Sequence, residues 1–218
     1  REETLEFLND TSVSKRAKVI DRLLNSPGFN SHLFNYFSDM LRMSDVAQKV
    51  RFYTYQDWFK GQLADNVPWD KIVYKMMTAD GKLLENGATG YLLRDAGMRL
   101  DNLSLTLSTF LGANVACAQC HDHPFADWTQ HQFYEMAAFF GATETYGAKG
   151  SKNGNAQMMR KALASLDNKR LQQQAKNLLR INGMAVEDSD ENDLKLPDDY
   201  KYPDAKPGDP VAPKLVTW

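Results

Sequence analysis

The sequence has little cysteine, no long apolar run and no large excess of charge of either sign. Its 218 residues carry a formal net charge of −2. Lys and Arg are spread along the chain rather than gathered in one patch, so no nucleic-acid partner is predicted. No apolar stretch is long enough to span a bilayer, so no membrane span is predicted in this segment. The hydrophobic content of 43% nevertheless suffices for a sizeable core, as in average soluble domains.

Several motifs of common enzyme classes are also missing. The sequence has no Walker-type glycine loop, no Gly-x-Ser-x-Gly elbow and no His-Glu-x-x-His pair. Its start lacks the charged, apolar and small-residue pattern of a secretory signal. The chain begins within a helix-like pattern and ends abruptly at Val216-Thr217-Trp218, which indicates an excerpt of a longer protein.

The two cysteines lie three positions apart, in the segment Cys117-Ala-Gln-Cys120-His121. A disulfide framework needs more cysteines at wider spacing. Cys-x-x-Cys-His is instead the attachment motif of c-type haem. Two thiols one turn apart suit thioether bonds to the two porphyrin vinyl groups, and the following histidine supplies the proximal nitrogen to iron. The motif therefore predicts one covalent haem c at Cys117, Cys120 and His121.

Three other uses of the cysteines stay open. A structural zinc site would combine Cys117, Cys120 and His123 with a distant fourth ligand, although the usual second pair is absent. A thiol–disulfide redox pair is typical of a βαβ setting, which this helical pattern lacks. The third possibility is a pair of buried, unmodified cysteines beside a hydrogen-bonded histidine.

Apolar residues recur at helical spacing along the first 140 residues, which predicts a mainly α, irregular multi-helix domain. Ser14 is the expected N-cap of a helix that ends at Leu24, and Ser26-Pro27-Gly28 is interpreted as a break after it. Further helices are predicted over 31–43, over 55–64 and from Pro68 onward.

The cysteine motif lies between two predicted amphipathic helices. One runs from Met98 to Leu111 and stops at Gly112, and the other begins after Thr129. Two helices on either side of the motif would hold a site in a fixed geometry. The apolar side chains expected to line the haem pocket are Leu107, Phe110, Leu111, Phe125, Trp128 and Phe133.

The second axial ligand of the iron decides between an electron carrier and a site open to small molecules. Candidates for this distal position are His32, Met98 and His131. His131 is out of phase with the apolar stripe of its helix, which favours a surface position, and a methionine in such a stripe is usually core filling.

Three polar residues after the motif are expected in the second shell of the site. His123 is too close in sequence to His121 to reach the opposite haem face, so a hydrogen-bonding role is predicted for it. Asp122 and Asp127 are its expected hydrogen-bond partners. If one coordination position of the iron were free, all three residues would be candidates for proton transfer.

Composition divides the chain into three parts. Residues 1–145 are predicted as the helical haem-binding domain. Residues 146–186 are predicted as a mobile loop followed by a charged helical insertion, because Gly, Lys, Asn and Ser give way to a Gln-rich helical pattern. Residues 187–218 are acidic and rich in proline, which predicts an extended tail or linker to a further domain.

Longer patterns resemble the planctomycete-type cytochrome c domain family, a domain of unknown function. The similar segments are Cys117–Phe125, Trp128–Phe140, Tyr55–Asp70, and, near the end, Leu196–Tyr200 with Asp204–Asp209. By position, the resemblance implies haem attachment at Cys117, Cys120 and His121. An acidic residue usual in the family after Phe125 is Ala126 here, with Asp127 one place later, so its role does not carry over.

The resemblance also implies a setting. Such proteins are bacterial, exported to the periplasm or cell envelope, and built from several domains. The function predicted first is electron transfer through the haem to a redox partner or to adjacent domains of the same polypeptide. The alternatives are a haem c oxidoreductase with an open iron position, and a non-haem metal or structural domain.

Overall fold

The computed structural model describes residues 1–95, 97–147, 161–165 and 168–216. This part of the chain is mainly α-helical, as predicted. The helices are α1 (Glu2–Asn9), α2 (Lys15–Leu24), α3 (Pro27–Met40), α4 (Tyr53–Ala64), α5 (Trp69–Met77), α6 (Gly90–Leu93), α7 (Arg99–Leu111), α8 (Gln130–Ala137) and α9 (Lys169–Asn182). Short 3₁₀ helices cover Gly87–Thr89, Ala116–Gln119 and Ala138–Phe140.

Local capping explains where several helices begin and end. Ser14 is the N-cap of α2, and Gly112 ends α7 with a left-handed φ of 66°, both as predicted. The expected break after α2 is present at Asn25 and Ser26, but the next helix begins at Pro27 rather than at residue 31. Ser26 caps α3 by accepting a hydrogen bond from the amide of Phe29, and Pro27 occupies the first turn, where its missing N–H costs nothing.

A small antiparallel sheet joins distant parts of the chain. Its strands are β3 (Gly81–Lys82), β4 (Thr143–Tyr146) and β5 (Ala185–Asp188), in the order β3-β5-β4, and β1 (Val46–Ala47) with β2 (Val50–Arg51) forms a separate hairpin. β5 is central, pairing Gly81 with Val186 on one side and Tyr146 with Ala185 on the other. Residues on both sides of the polar stretch after β4 therefore belong to one sheet.

Two clusters of buried apolar side chains form the core. The first gathers side chains mainly from α4, α5 and α6, among them Phe59, Ile72, Met76 and Leu93. The second lies under the cysteine motif and contains Leu103, Leu107, Val115, Ala118, Trp128, Phe133, Tyr134, Ala137, Ala138, Leu196, Tyr200 and Val211.

Residues 189–216, here called the C-terminal segment, contribute to the second cluster. Leu196, Tyr200 and Val211 are each at most 5% exposed. The segment also forms a bridge between Lys195 and Pro210. Its backbone is irregular and contains several turns, and these three side chains lie in one cluster with residues of α7 and α8.

A buried polar group links α6 to α7. Arg94 pairs with Asp95, whose carboxylate accepts a hydrogen bond from the Asn102 amide at 2.8 Å. Arg94 also donates to the carbonyl of Leu41 and lies 4.4 Å from the centre of the Tyr91 ring. Since both charged side chains are only 7% exposed, this group holds the first turn of α7 against the end of α6.

The polar loop predicted over 146–157 lies almost wholly outside the described residues, as does part of the helical insertion. α9 falls within that insertion and carries an exposed Leu171 and Leu178. Among the described residues, no helix combines the length and apolar character needed to cross a membrane.

Candidate functional site

The cysteine motif forms a tight turn between α7 and α8. After the left-handed Gly112, Ala116–Gln119 adopts a 3₁₀ helix. The amides of Cys120 and His121 both donate to the carbonyl of Cys117, at 3.2 and 3.3 Å. Both cysteines are exposed and unpaired. Two thiols one turn apart are therefore accessible to a reagent that approaches from solvent.

The ring of His121 is held in a defined state. Its Nδ1 lies 2.7 Å from the carbonyl oxygen of Asp122. A carbonyl oxygen only accepts hydrogen bonds, so in the neutral ring Nδ1 carries the proton and the lone pair of Nε2 is free. Metal-binding histidines are oriented by such a bond, which also raises their basicity. His121 is exposed, so Nε2 can be reached.

Asp122 anchors the turn to two other parts of the molecule. Its carboxylate accepts a hydrogen bond at 2.8 Å from the amide of Gln130, at the start of α8, where negative charge is favourable. Its own amide donates to the hydroxyl of Tyr202 at 2.7 Å. The buried Gln130 side chain adds a bond to the carbonyl of Gln119 at 3.1 Å. The segment that carries His121 is thus fixed from both sides.

His123 has the opposite ring state. Its Nδ1 accepts a hydrogen bond from the amide of Phe125 at 3.1 Å, so in the neutral ring the proton is on Nε2. The backbone amide of His123 donates to the carbonyl of Trp128 at 2.8 Å. In this arrangement His123 has no free ring lone pair for a metal.

The zinc alternative needs more donors than one histidine and two thiols. Across the described ranges, no group of three or more His, Cys, Asp or Glu side chains is arranged to hold a metal ion. The zinc alternative therefore gains no support from the described residues.

The six apolar residues expected around the haem divide into three groups. Leu107, Trp128 and Phe133 are buried in the second core cluster, below the turn, while Phe110 packs against the first. Leu111 is 60% and Phe125 94% exposed. The motif therefore has an apolar floor and two exposed apolar neighbours in sequence.

Tyr134 is a buried residue of α8 on which Cys120 acts electrostatically. Burial raises the pKa of its hydroxyl, and the nearby Cys120 raises this pKa further. The ring is 5% exposed and stacks edge-on against Phe133. The hydroxyl of Tyr134 is therefore within electrostatic range of Cys120.

The distal-ligand candidates have different surroundings. His32 is exposed on α3, which packs against α2 and α4. Met98 is the exposed N-cap of α7, at the end of that helix away from Gly112, about 20 Å along a helix of 13 residues. The Asp127 side chain, expected in the second shell, is exposed.

His131 belongs to a second polar group on α8. Its Nδ1 lies 2.8 Å from the carboxylate of Asp204, whose other oxygen accepts a bond of 2.6 Å from the Tyr200 hydroxyl. The hydrogen bond from Tyr200 and then that from His131 lower the pKa of Asp204. His131 is therefore partly buried under the C-terminal segment rather than a free surface residue.

Sequence reasoning did not single out Tyr202. It stands 80 positions from Asp122, and no local pattern links the two. The only signal near it was the similarity of Leu196–Tyr200 and Asp204–Asp209 to the family. That similarity indicated that the region matters without showing which side chain reaches the motif.

A mainly helical domain with an exposed Cys-x-x-Cys-His turn is thus the class that fold and site define. Residues 1–145 match the PSCyt2 family, described as a protein of unknown function (DUF1549). This range covers well over half of the chain, and the chain belongs to that family. The match ends before the C-terminal segment. No curated protein and no solved structure matches the chain.

Proposed function

We propose that this chain is a c-type haem-binding domain that transfers electrons within an exported bacterial protein of several domains. The single observation that carries the proposal is the state of His121, whose Nδ1 is bonded to a carbonyl so that Nε2 is left for iron. The two accessible thiols one turn before it add the other two attachment atoms. The family name, which refers to a cytochrome, agrees with this donor set.

The roles of the individual residues follow from their surroundings. Cys117 and Cys120 would form the two thioether bonds, and His121 would bind the iron. Asp122 orients the ring of His121 and ties it to α8. A bound haem supplies reversible one-electron chemistry, whose potential depends on axial ligand, hydrogen bonding and solvent exposure.

The exposure of the motif favours electron transfer. Cys117, Cys120 and His121 are all exposed, so a haem attached to them would have an edge at the protein surface. A redox partner, or an adjacent domain of the same polypeptide, could then approach it directly. Export to the periplasm or cell envelope belongs to the same proposal, because the family resemblance implies it.

A haem c oxidoreductase is the second candidate. The observation in its favour is that Met98, a candidate distal ligand, lies at the end of α7 opposite to the one that leads into the cysteine motif. An iron position without a protein ligand would accept a small molecule. Asp122 and Asp127 would then be the nearest carboxylates in sequence for proton transfer.

An absorption spectrum tests the proposal. The chain is produced in a host that attaches haem c, purified, and denatured before measurement. Haem absorption that stays with the denatured chain is expected, and a colourless product would overturn both haem functions. Cys117→Ala with Cys120→Ala should abolish the absorption, while His121→Ala should keep the thioethers and alter only iron ligation.

The spectrum of the native ferric protein separates the two haem functions. Six-coordinate low-spin iron is expected for an electron carrier. High-spin iron that binds cyanide or peroxide would favour the oxidoreductase instead.

A further inference from the structure

The C-terminal segment reaches the peptide bond directly after the candidate iron ligand. The amide that joins His121 to Asp122 donates its N–H to the hydroxyl of Tyr202 at 2.7 Å. Because the peptide unit is planar, holding this N–H restricts the backbone on the carboxyl side of His121. The next carbonyl, that of Asp122, is the acceptor for the His121 ring.

Tyr202 is itself held by its neighbours. Its ring packs edge-on against the ring of Tyr200, with centroids 5.5 Å apart. Tyr200 is 5% exposed and donates to Asp204, which in turn bonds His131 on α8. A chain of contacts therefore runs from α8 through the C-terminal segment and back to the motif.

We propose that Tyr202 is a positioning residue for the iron ligand, and that the C-terminal segment thereby holds the haem site in its geometry. This inference rests on the proposed function. Tyr202 accepts the Asp122 N–H and so keeps the Asp122 carbonyl in place for Nδ1 of His121. The family match covers only residues 1–145, so this support comes from outside the matched region.

Tyr202→Phe tests the inference because it removes the acceptor and keeps the partly buried ring. Hydrogen exchange at the Asp122 amide, measured by NMR on the full chain, should become about fivefold faster, the change expected for one neutral hydrogen bond. Amides in the middle of α7, such as that of Leu107, should keep their wild-type rates. Tyr74→Phe, which alters an exposed tyrosine on α5, is the matched control and should change neither.

The second measurement is the midpoint potential of the haem-loaded protein. Loss of the Tyr202 acceptor weakens the hydrogen bond between Nδ1 of His121 and the Asp122 carbonyl, and this lowers the basicity of the iron ligand. The midpoint potential of Tyr202→Phe should therefore be more positive than that of the wild type. Equal exchange rates, or equal potentials, in variant and wild type would overturn the positioning role. A wild-type chain that attaches no haem would instead overturn the proposed function, so the two failures are distinguishable.

Discussion

Leu196 provides a quantitative test of whether the C-terminal segment belongs to the fold. This side chain is 3% exposed in the second core cluster, together with Tyr200 and Val211. Leu196→Ala removes three buried carbon groups at about 0.8 kcal/mol each, or about 2.4 kcal/mol, and the cavity left behind adds to the loss. The free energy of unfolding should therefore fall by about 2–4 kcal/mol.

Denaturant unfolding followed by circular dichroism measures this change through the transition midpoint at constant slope. Leu215→Ala is the matched control, because Leu215 is 65% exposed in the same segment. It should alter the free energy of unfolding by less than about 0.5 kcal/mol. If Leu196→Ala were as mild as the control, the segment would not unfold together with the core, and the argument from its burial would be refuted.

Substitutions at two other positions test the support of the site and of the C-terminal segment. Thr129 and Gln132 form a capping box at the start of α8, so Thr129→Ala should lower the free energy of unfolding by about 1 kcal/mol. Thr129→Ser keeps the capping hydroxyl and should retain most of that stability. An equal loss in both variants would contradict the capping role. The Arg99 guanidinium holds the pKa of Asp193 below its usual range through bonds of 2.6 and 2.9 Å. The carboxylate therefore stabilises the fold above about pH 4, and this contribution is lost as the pH falls through the lowered pKa. Asp193→Asn should lower the free energy of unfolding by up to about 1 kcal/mol at pH 7 and by progressively less in acid. A loss in thermal unfolding that does not depend on pH would contradict a stabilising role of the ion pair.

The parts of the fold that the sequence predicted are those governed by local chemistry. A serine before an apolar repeat placed the start of α2, and Gly112 placed the end of α7. Thr129 was recognised as a cap because its side chain needs only the next turn of the helix. The cysteine motif was readable for the same reason, since its chemistry is contained in five adjacent residues.

The parts that were missed depend on contacts between distant residues. β3 and β5 lie more than 100 positions apart, and β3 has two residues, too few for an alternating pattern. The start of α3 was misjudged because Ser-Pro-Gly is typical both of a turn and of a capped helix with proline in its first turn.

The ring states of the histidines were equally beyond sequence reasoning. His121 and His123 are two positions apart, yet one is bonded to a carbonyl and the other to an amide. Each ring bonds a backbone atom one or two positions further along the chain. The backbone conformation of the turn therefore determines whether that atom is a carbonyl oxygen or an amide nitrogen. This conformation in turn depends on Tyr202 and on the start of α8.

The most direct test of the central claim is the intact mass of the denatured chain after production in a host that attaches haem c. A mass increase of one haem is expected for the wild type, and none when Cys117 and Cys120 are both replaced by alanine. A His121→Ala chain should still gain the mass, because histidine forms no thioether. An unmodified wild-type mass, or haem that dissociates on denaturation, would contradict covalent attachment at this motif.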